Sequence, residues 1–303
     1  EAASEEYPVF PAADIGPMLE DSDSEESEIL QQYYEICDIF LEAGAEIFVL
    51  ETFPDTQYVL KIAEYIRKSM PGAFIIGQFS LTPTGYSRTG FHYKTILQEA
   101  VNSGLLDGAG LNCGIGSAHM KKFLKSYIEE FGVPDDMALT ALPNCGYPQI
   151  VRGRAVYSDS VTYFGEKIAE LSELGVNILG GCCGTTPDYI KEIFRIIFKA
   201  KKSENSPIKI VWGDITKRTE KRKKGLNNIK QTDNLEEISN KEKTLNTFRQ
   251  KLEAGEIVCA VELDPPFDAD DTKLVNGAKE LLSTKTDIIT IADSPLARSR
   301  ADS

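Results

Sequence analysis

The sequence predicts an α/β fold, a (β/α)8 barrel of the TIM type. Two observations predict it: short apolar runs alternate with amphipathic stretches from Tyr7 to Phe198, and the residues able to carry chemistry follow the apolar runs. Such alternation is typical of parallel β/α units, and in a β/α barrel the carboxyl ends of the strands form the active-site face. Only six units can be read in this region, so we expect an incomplete barrel whose first two units are missing.

Strands are predicted from the apolar runs, and helices from apolar spacing at i, i+3 and i+4. The predicted strands are Val9–Ile15, Ile47–Leu50, Phe74–Phe79, Gly108–Asn112, Ala138–Leu142 and Asn177–Leu179. The predicted helices are Glu28–Ala43, Thr56–Ser69, Tyr93–Ser103, Ala118–Glu130, Ser160–Leu174 and Thr186–Lys199.

The chain divides into three predicted regions: residues 1–200 form the partial barrel, 201–243 a charged linker, and 244–303 the start of a second barrel. The basic run Lys217–Lys224 is typical of a solvated linker, with a docking surface for an acidic partner as the alternative. About sixty residues are too few for an independent barrel. The elements predicted in the third region are helices at Leu245–Glu253 and Thr272–Leu282, and strands at Ile257–Leu263 and Asp287–Ile291.

Composition narrows the class of protein. The 303 residues are 42% hydrophobic and 26% charged, as in a globular protein with a sizeable core. The formal charge of -14 argues against nucleic acid and anionic membranes as partners. No apolar run approaches the roughly 18 residues of a membrane span, and no signal peptide is visible. We therefore expect a cytoplasmic protein.

The cysteines carry the strongest functional signal. There are six in the chain, and their positions in strand and helix patterns favour reduced thiols. Cys182 and Cys183 end one strand-like run, and Cys113 ends another. Three readings stay open for the adjacent pair: a buried structural pair, a vicinal disulfide, or metal ligands. Three converging thiolates would suit a zinc site that keeps its fourth position open.

Three polar residues also end predicted strands. Glu51 would point into the mouth of a barrel and could bind the ammonium group of an amino acid; the alternative is a helix-capping or solvent-facing acid. Asn112 and Asn144 could hydrogen-bond a substrate, although loop and turn roles are commoner for isolated Asn. Cys145, next to Asn144, is read as a spectator rather than a fourth ligand.

These motifs resemble the homocysteine S-methyltransferase family. The resemblance covers roughly residues 7–198 and rests on G-G-C-C-G-T-T-P at Gly180–Pro187, G-L-N-C-G at Gly110–Gly114, Leu50-Glu51-Thr52, and P-N-C-G at Pro143–Gly146. It implies a zinc-dependent barrel in which Cys113, Cys182 and Cys183 bind zinc and Glu51 holds the homocysteine amino group. The family's D-G-x-M-G-T motif is absent here, and Cys145 replaces its usual Ala.

Residues 261–266, V-E-L-D-P-P, are similar to the first strand of methylenetetrahydrofolate reductase, a flavin-dependent barrel. The likeness implies a proton-transfer role for Glu262 and FAD as cofactor of a complete reductase domain. A fusion of the two domains resembles a bacterial bifunctional architecture.

The resemblance implies methyl transfer to L-homocysteine, giving methionine. A reductase domain favours a donor derived from methyltetrahydrofolate, passed through a methyl-corrinoid protein; S-methylmethionine and betaine remain open. Two rival readings stay open as well: a non-catalytic zinc- or thiol-binding fragment, and a redox pair with a Cys182–Cys183 bond.

Overall fold

The computed structural model describes residues 10–18, 25–151, 154–203, 251–252, 258–263, 272–282 and 286–291. Their main sheet consists of nine parallel strand segments. In chain order these are β1 (Phe10–Pro11), β2 (Ala13–Ile15), β3 (Ile47–Phe53), β4 (Phe74–Phe79), β5 (Gly108–Gly116), β6 (Ala138–Asn144), β9 (Ile178–Gly181), β10 (Val258–Leu263) and β11 (Ile288–Ile291).

Helices follow most of the strands. They are α1 (Glu26–Glu42), α2 (Thr56–Ser69), α3 (Tyr93–Asn102), α4 (Ser117–Phe131), α5 (Val161–Glu173), α6 (Pro187–Ser203) and α7 (Thr272–Leu282). An antiparallel hairpin, β7 (Pro148–Val151) and β8 (Arg154–Tyr157), lies between β6 and α5. None of the helices in the described ranges is both long and apolar enough to cross a bilayer.

The first strand completes the ring of strands. Its two halves, β1 and β2, are separated only by Ala12 and pair at opposite ends of the sheet order. Phe10 pairs with Ile288 of β11, and Ala13 pairs with Phe48 of β3. With β1 and β2 counted as one broken strand, the nine segments fill eight positions, the number in a (β/α)8 barrel.

The final strands join the main sheet, whereas the division of the chain into a partial barrel, a linker and the start of a second barrel stays a prediction. β10 pairs with β9, and β11 pairs with β10 and β1, so these two strands lie between β9 and the first strand. Without them, β9 and β2 would expose edges of unpaired backbone groups, which is costly. The part of the predicted linker after Ser203, including Lys217–Lys224, lies outside the described residues.

Two apolar layers hold the sheet. Alternate residues of β3 show how they form: Phe48 and Leu50 pack outward under the helices, while Ile47 and Val49 pack inside the barrel. The inner layer also contains Phe74, Ile76, Ala138, Leu142, Ile178, Val258, Ala260 and Ile288. The sheet thereby presents the carboxyl ends of its strands as one rigid surface.

Candidate functional site

Three thiols meet at the carboxyl end of the sheet. The Sγ of Cys183 lies 3.7 Å from that of Cys113 and 4.0 Å from that of Cys182. In the described ranges, this is the one group of His, Cys, Asp and Glu side chains close enough to share a metal ion. Tetrahedral zinc with Zn–S bonds of about 2.3 Å places its sulfurs about 3.8 Å apart. The spacing and chemistry of this group, which we call the thiol cluster, therefore fit zinc.

The adjacent cysteines are held by the end of β6 and the loop that follows it. The Cys182 N–H donates to the carbonyl of Pro143 at 2.9 Å, and the Cys145 N–H donates to the carbonyl of Cys183 at 3.1 Å. Gly184 then turns the chain at φ +84°, a conformation that side chains other than glycine adopt at a cost. The P-N-C-G and G-G-C-C-G motifs thus form one backbone-bonded unit.

Cys113 reaches the cluster through an irregularity in β5. The pairing of β5 with β6 shifts register between Asn112 and Gly116, and Cys113 has φ +50°. Gly114 has φ +65°, and a Cβ there would lie 2.3 Å from the carbonyl oxygen of Leu81. The chain therefore needs glycine beside Cys113 to aim that thiol.

The positions of the cysteine sulfurs bear on two expectations from the sequence: a possible disulfide between Cys182 and Cys183, and the interpretation of Cys145 as a residue that is not a metal ligand. All six cysteines lie outside disulfides, and the 4.0 Å between the sulfurs of Cys182 and Cys183 is about twice the 2.05 Å of a disulfide. Cys145 is buried with its Sγ 3.3 Å from Thr185 Oγ1, and it is not part of the thiol cluster. The spectator reading of Cys145 is confirmed in this respect.

Exposure and ionisation distinguish the clustered thiols. Cys182 is buried, whereas Cys113 and Cys183 are partly open to solvent, so a ligand can approach the sulfurs. A hydrogen bond with Cys113, together with burial, raises the pKa of Cys183 to about 11. Crowded thiols of this kind resist joint ionisation unless a cation compensates their charge.

Glu51 lies at the carboxyl end of β3, which is two strands from β5, the strand that carries Cys113. Only 7% of the residue is exposed, which contradicts the solvent-facing alternative. Its Oε2 accepts a hydrogen bond of 3.1 Å from Nδ2 of Asn112. Asn112 is fully buried in β5 and also binds Thr52, so its amide is engaged by the protein itself.

Asn144 ends β6 and is 5% exposed. Its Oδ1 is buried and has no hydrogen-bond partner among the described residues. Because a buried amide oxygen without a partner is costly, this oxygen is suited to accept a hydrogen bond from a bound ligand.

Sequence reasoning missed Tyr157, which ends the hairpin strand β8. Burial raises the pKa of Tyr157, so its hydroxyl stays protonated and hydrogen-bonds to Cys183. Its ring packs on the backbone of Gly184, where a Cβ would lie 2.4 Å from the ring. No pattern in the sequence identified this tyrosine. Its partner strand β7 is exposed along its whole length, so the hairpin has no alternation of buried and exposed residues that would predict it.

The chain matches a known protein family over the region that contains the thiol cluster. Residues 1–197 match the family described as homocysteine S-methyltransferase. The chain is 27% identical over 186 residues to methionine synthase of Mycobacterium tuberculosis, covering 60% of this chain and 15% of that protein. It is 28% identical over 158 residues to methionine synthase of Mycobacterium leprae, covering 50% and 13%. The matched region is thus less than a sixth of either relative.

Two solved structures are similar to this chain at low sequence identity. The apo form of the homocysteine methyltransferase MmuM from Escherichia coli is 20% identical, with 59% of each chain covered and a TM-score of 0.44. The 7,8-dihydropteroate synthase of Vibrio fischeri is 13% identical, with 94% of this chain and 88% of that chain covered and a TM-score of 0.44.

The reductase reading of residues 244–303 stays a prediction. The family match ends at residue 197, and Glu262 lies in β10, where it pairs in register with Thr290 of β11. A flavin site and a catalytic role for Glu262 therefore rest on the sequence resemblance alone.

Proposed function

Since this chain belongs to the homocysteine S-methyltransferase family, we propose that it transfers a methyl group to the thiol of L-homocysteine and forms methionine. The observation that carries the proposal is the thiol cluster, whose sulfurs lie at 3.7 Å and 4.0 Å from one another. Cys113, Cys182 and Cys183 would hold the zinc ion. A bound zinc supplies Lewis acidity, which favours the thiolate form of a substrate sulfur at neutral pH.

The residues around the cluster support recognition of an amino acid. The carboxylate of Glu51 would pair with the substrate ammonium group, and burial of that pair would make the contact stronger than in water. The Oδ1 of Asn144 would accept a second hydrogen bond from the substrate. Both groups lie on the same face as the thiols, which would align the substrate sulfur for in-line attack on a methyl carbon.

The methyl donor is proposed by class. A methyl-corrinoid protein carrying a group derived from methyltetrahydrofolate is the first candidate, and S-methylmethionine and betaine are the others. The formal charge of -14 disfavours nucleic acid and anionic membranes as partners, which leaves a small molecule or a protein as the donor.

The decisive experiment measures zinc per chain on the purified 303-residue protein, with and without homocysteine. We expect about one zinc per chain and homocysteine binding that requires the metal. Methionine formation would then be assayed with methylcobalamin, S-methylmethionine and betaine in turn.

Each outcome separates the rival functions. Zinc with bound homocysteine and turnover by one donor supports the transferase. Zinc without homocysteine binding favours a non-catalytic zinc protein. Folded protein that lacks zinc and forms a Cys182–Cys183 bond on oxidation favours the redox pair and contradicts our proposal.

A further inference from the structure

Asn112 uses its whole side-chain amide within the protein. Its Oδ1 accepts from the Thr52 N–H at 2.9 Å, and its Nδ2 donates to Thr52 Oγ1 at 2.9 Å and to Glu51 Oε2 at 3.1 Å. An amide has two N–H donors, and both are engaged here. Asn112 is also fully buried. It is therefore built to hold residues 51–52, and no donor is left for a substrate.

The backbone at both ends of this bridge is strained. In the described ranges, the non-glycine residues with positive φ are Thr52 at +61° and Cys113 at +50°. Each lies where its strand shifts register, between Leu50 and Phe53 in β3 and between Asn112 and Gly116 in β5. Such conformations are costly and persist where the surroundings over-determine them. For Thr52, the two hydrogen bonds that it makes with Asn112 provide that determination.

The bridge joins the two parts of the proposed substrate site. Asn112 directly precedes Cys113, a member of the thiol cluster, and it spans β4 to reach Glu51. Asn112 therefore helps to set the distance between the carboxylate and the sulfurs. An amino-acid thiol must satisfy both groups at once, so this distance decides which thiols fit.

We infer that Asn112 is a positioning residue, which fixes the Glu51 carboxylate relative to the thiol cluster and thereby selects thiols that carry an α-amino group. The inference rests on the proposed function and adds a specificity device to it. Because both N–H donors of Asn112 are used by residues 51–52, its loss is expected to change discrimination between thiols while zinc binding is preserved.

The test compares two thiols on the zinc-loaded full chain by calorimetry: homocysteine and 4-mercaptobutyrate, which is the same molecule without its amino group. For Asn112→Ala we expect homocysteine affinity to fall about tenfold or more, the loss of an oriented charged contact. Affinity for 4-mercaptobutyrate should stay within about twofold, and zinc per chain should be unchanged. Glu51→Gln should reproduce the pattern, and the double variant should add little to either single change.

A matched control separates positioning from stability. Asn177 is another buried Asn, whose Oδ1 accepts from the Leu139 N–H at 2.9 Å at the opposite end of the barrel. Asn177→Ala should lower stability and leave the ratio of the two affinities intact. Should Asn112→Ala fail to fold, Asn112→Asp keeps the acceptor for Thr52 and sets a carboxylate against Glu51, so the ratio should collapse in the same way.

An equal loss of affinity for both thiols in the Asn112 variants, which leaves the ratio of the two affinities unchanged, would overturn the inference. It would leave the proposed transferase function intact. If the wild-type protein binds neither thiol, the proposed function itself fails, and the inference fails with it. Failure of the inference is therefore seen in the Asn112 variants, and failure of the proposed function in the wild-type protein.

Discussion

The two ends of the barrel use polar side chains in opposite ways. At the amino end, Asp107, Asn177 and Asp287 each precede a strand and accept an N–H from the neighbouring strand of the main sheet. The donors are Ile75, Leu139 and Cys259, at 2.8, 2.9 and 2.9 Å. At the carboxyl end, the chain instead gathers three thiols and an amide oxygen that has no hydrogen-bond partner in the described part of the chain.

Backbone geometry follows the same division. The strained residues Thr52 and Cys113 and the register shifts of β3 and β5 all lie at the carboxyl end. At the amino end, Arg67 is only 2% exposed, pairs with Asp107 and donates to the carbonyls of Leu105 and Pro71. These polar groups at the amino end are bonded within the protein, whereas the carboxyl end keeps an amide oxygen without a partner in the described residues, which suits the ligand site proposed above.

The largest expected effect comes from removing a cluster thiol. Cys182→Ser should abolish zinc binding, taking the content from about one ion per chain to near zero, and methyl transfer should be lost with it. Elemental analysis of the folded variant measures the change. Cys37→Ser is the control, since Cys37 is buried in α1 away from the cluster, and it should keep its zinc. Retained zinc in Cys182→Ser would refute the ligand assignment.

At the amino end, Arg67→Ala tests the stability half of the comparison. It leaves Asp107 as a buried charge without its cation, and we expect a loss of about 3–5 kcal/mol in the free energy of unfolding. Zinc per folded chain should not change. Urea denaturation measures the first quantity and elemental analysis the second.

Lys68→Ala is the neighbouring control, because its ion pair with Glu64 is exposed and such pairs contribute little. A stability loss in Arg67→Ala no greater than in Lys68→Ala would show that the buried pair is not a stabilising element of the amino end.

Gly184→Ala tests the packing of the Tyr157 ring against the backbone that follows Cys182 and Cys183. Left-handed strain alone costs about 1–2 kcal/mol, and overpacking against Tyr157 should add about 1–3 kcal/mol. Gly44→Ala has nearly the same φ of +83° but open space around the new Cβ, so it measures the strain alone. The comparison is made on unfolding free energies and on zinc release to a chelator. Equal costs for the two variants would argue against the contact between Tyr157 and Gly184.

The smallest effect concerns a hydroxyl. Tyr157→Phe removes the hydrogen bond to Cys183 and keeps the ring. Loss of such a partner of a metal ligand should weaken zinc affinity by about tenfold, as measured by competition with a chelator. Tyr163→Phe, at a more exposed position on α5, should leave the affinity unchanged. An unaltered affinity in Tyr157→Phe would confine that residue to packing.

Local pattern was enough to predict much of this molecule. β4 and the helices α2 and α7 have the predicted bounds, because each has clear apolar periodicity. The thiols were found from the glycines around them and from their position after strands. β3, β5 and β6 run beyond their predicted ends, because the apolar run of each strand is interrupted there, by Glu51 and Thr52, by Gly114, and by Pro143 and Asn144.

What the sequence could not predict depends on distant contacts. The apolar patterns of β10 and β11 identify them as strands but carry no information on which sheet they join. Likewise, Asn112 at a strand end suits a substrate or a neighbouring residue equally well, and only the structure brings it to Glu51 and Thr52. The β7–β8 hairpin lacks alternation because β7 is exposed throughout.

The separation of Cys113 and Cys183 along the chain has a consequence for folding. The two thiols are 70 residues apart in sequence, so the cluster forms only after β5, β6 and β9 have assembled. A metal ion that needs all three thiols therefore binds the native barrel and not the unfolded chain, and it stabilises the native state by mass action. Thermal unfolding midpoints should rise with free zinc concentration, so a melting curve would report how much of a preparation has reached the native topology.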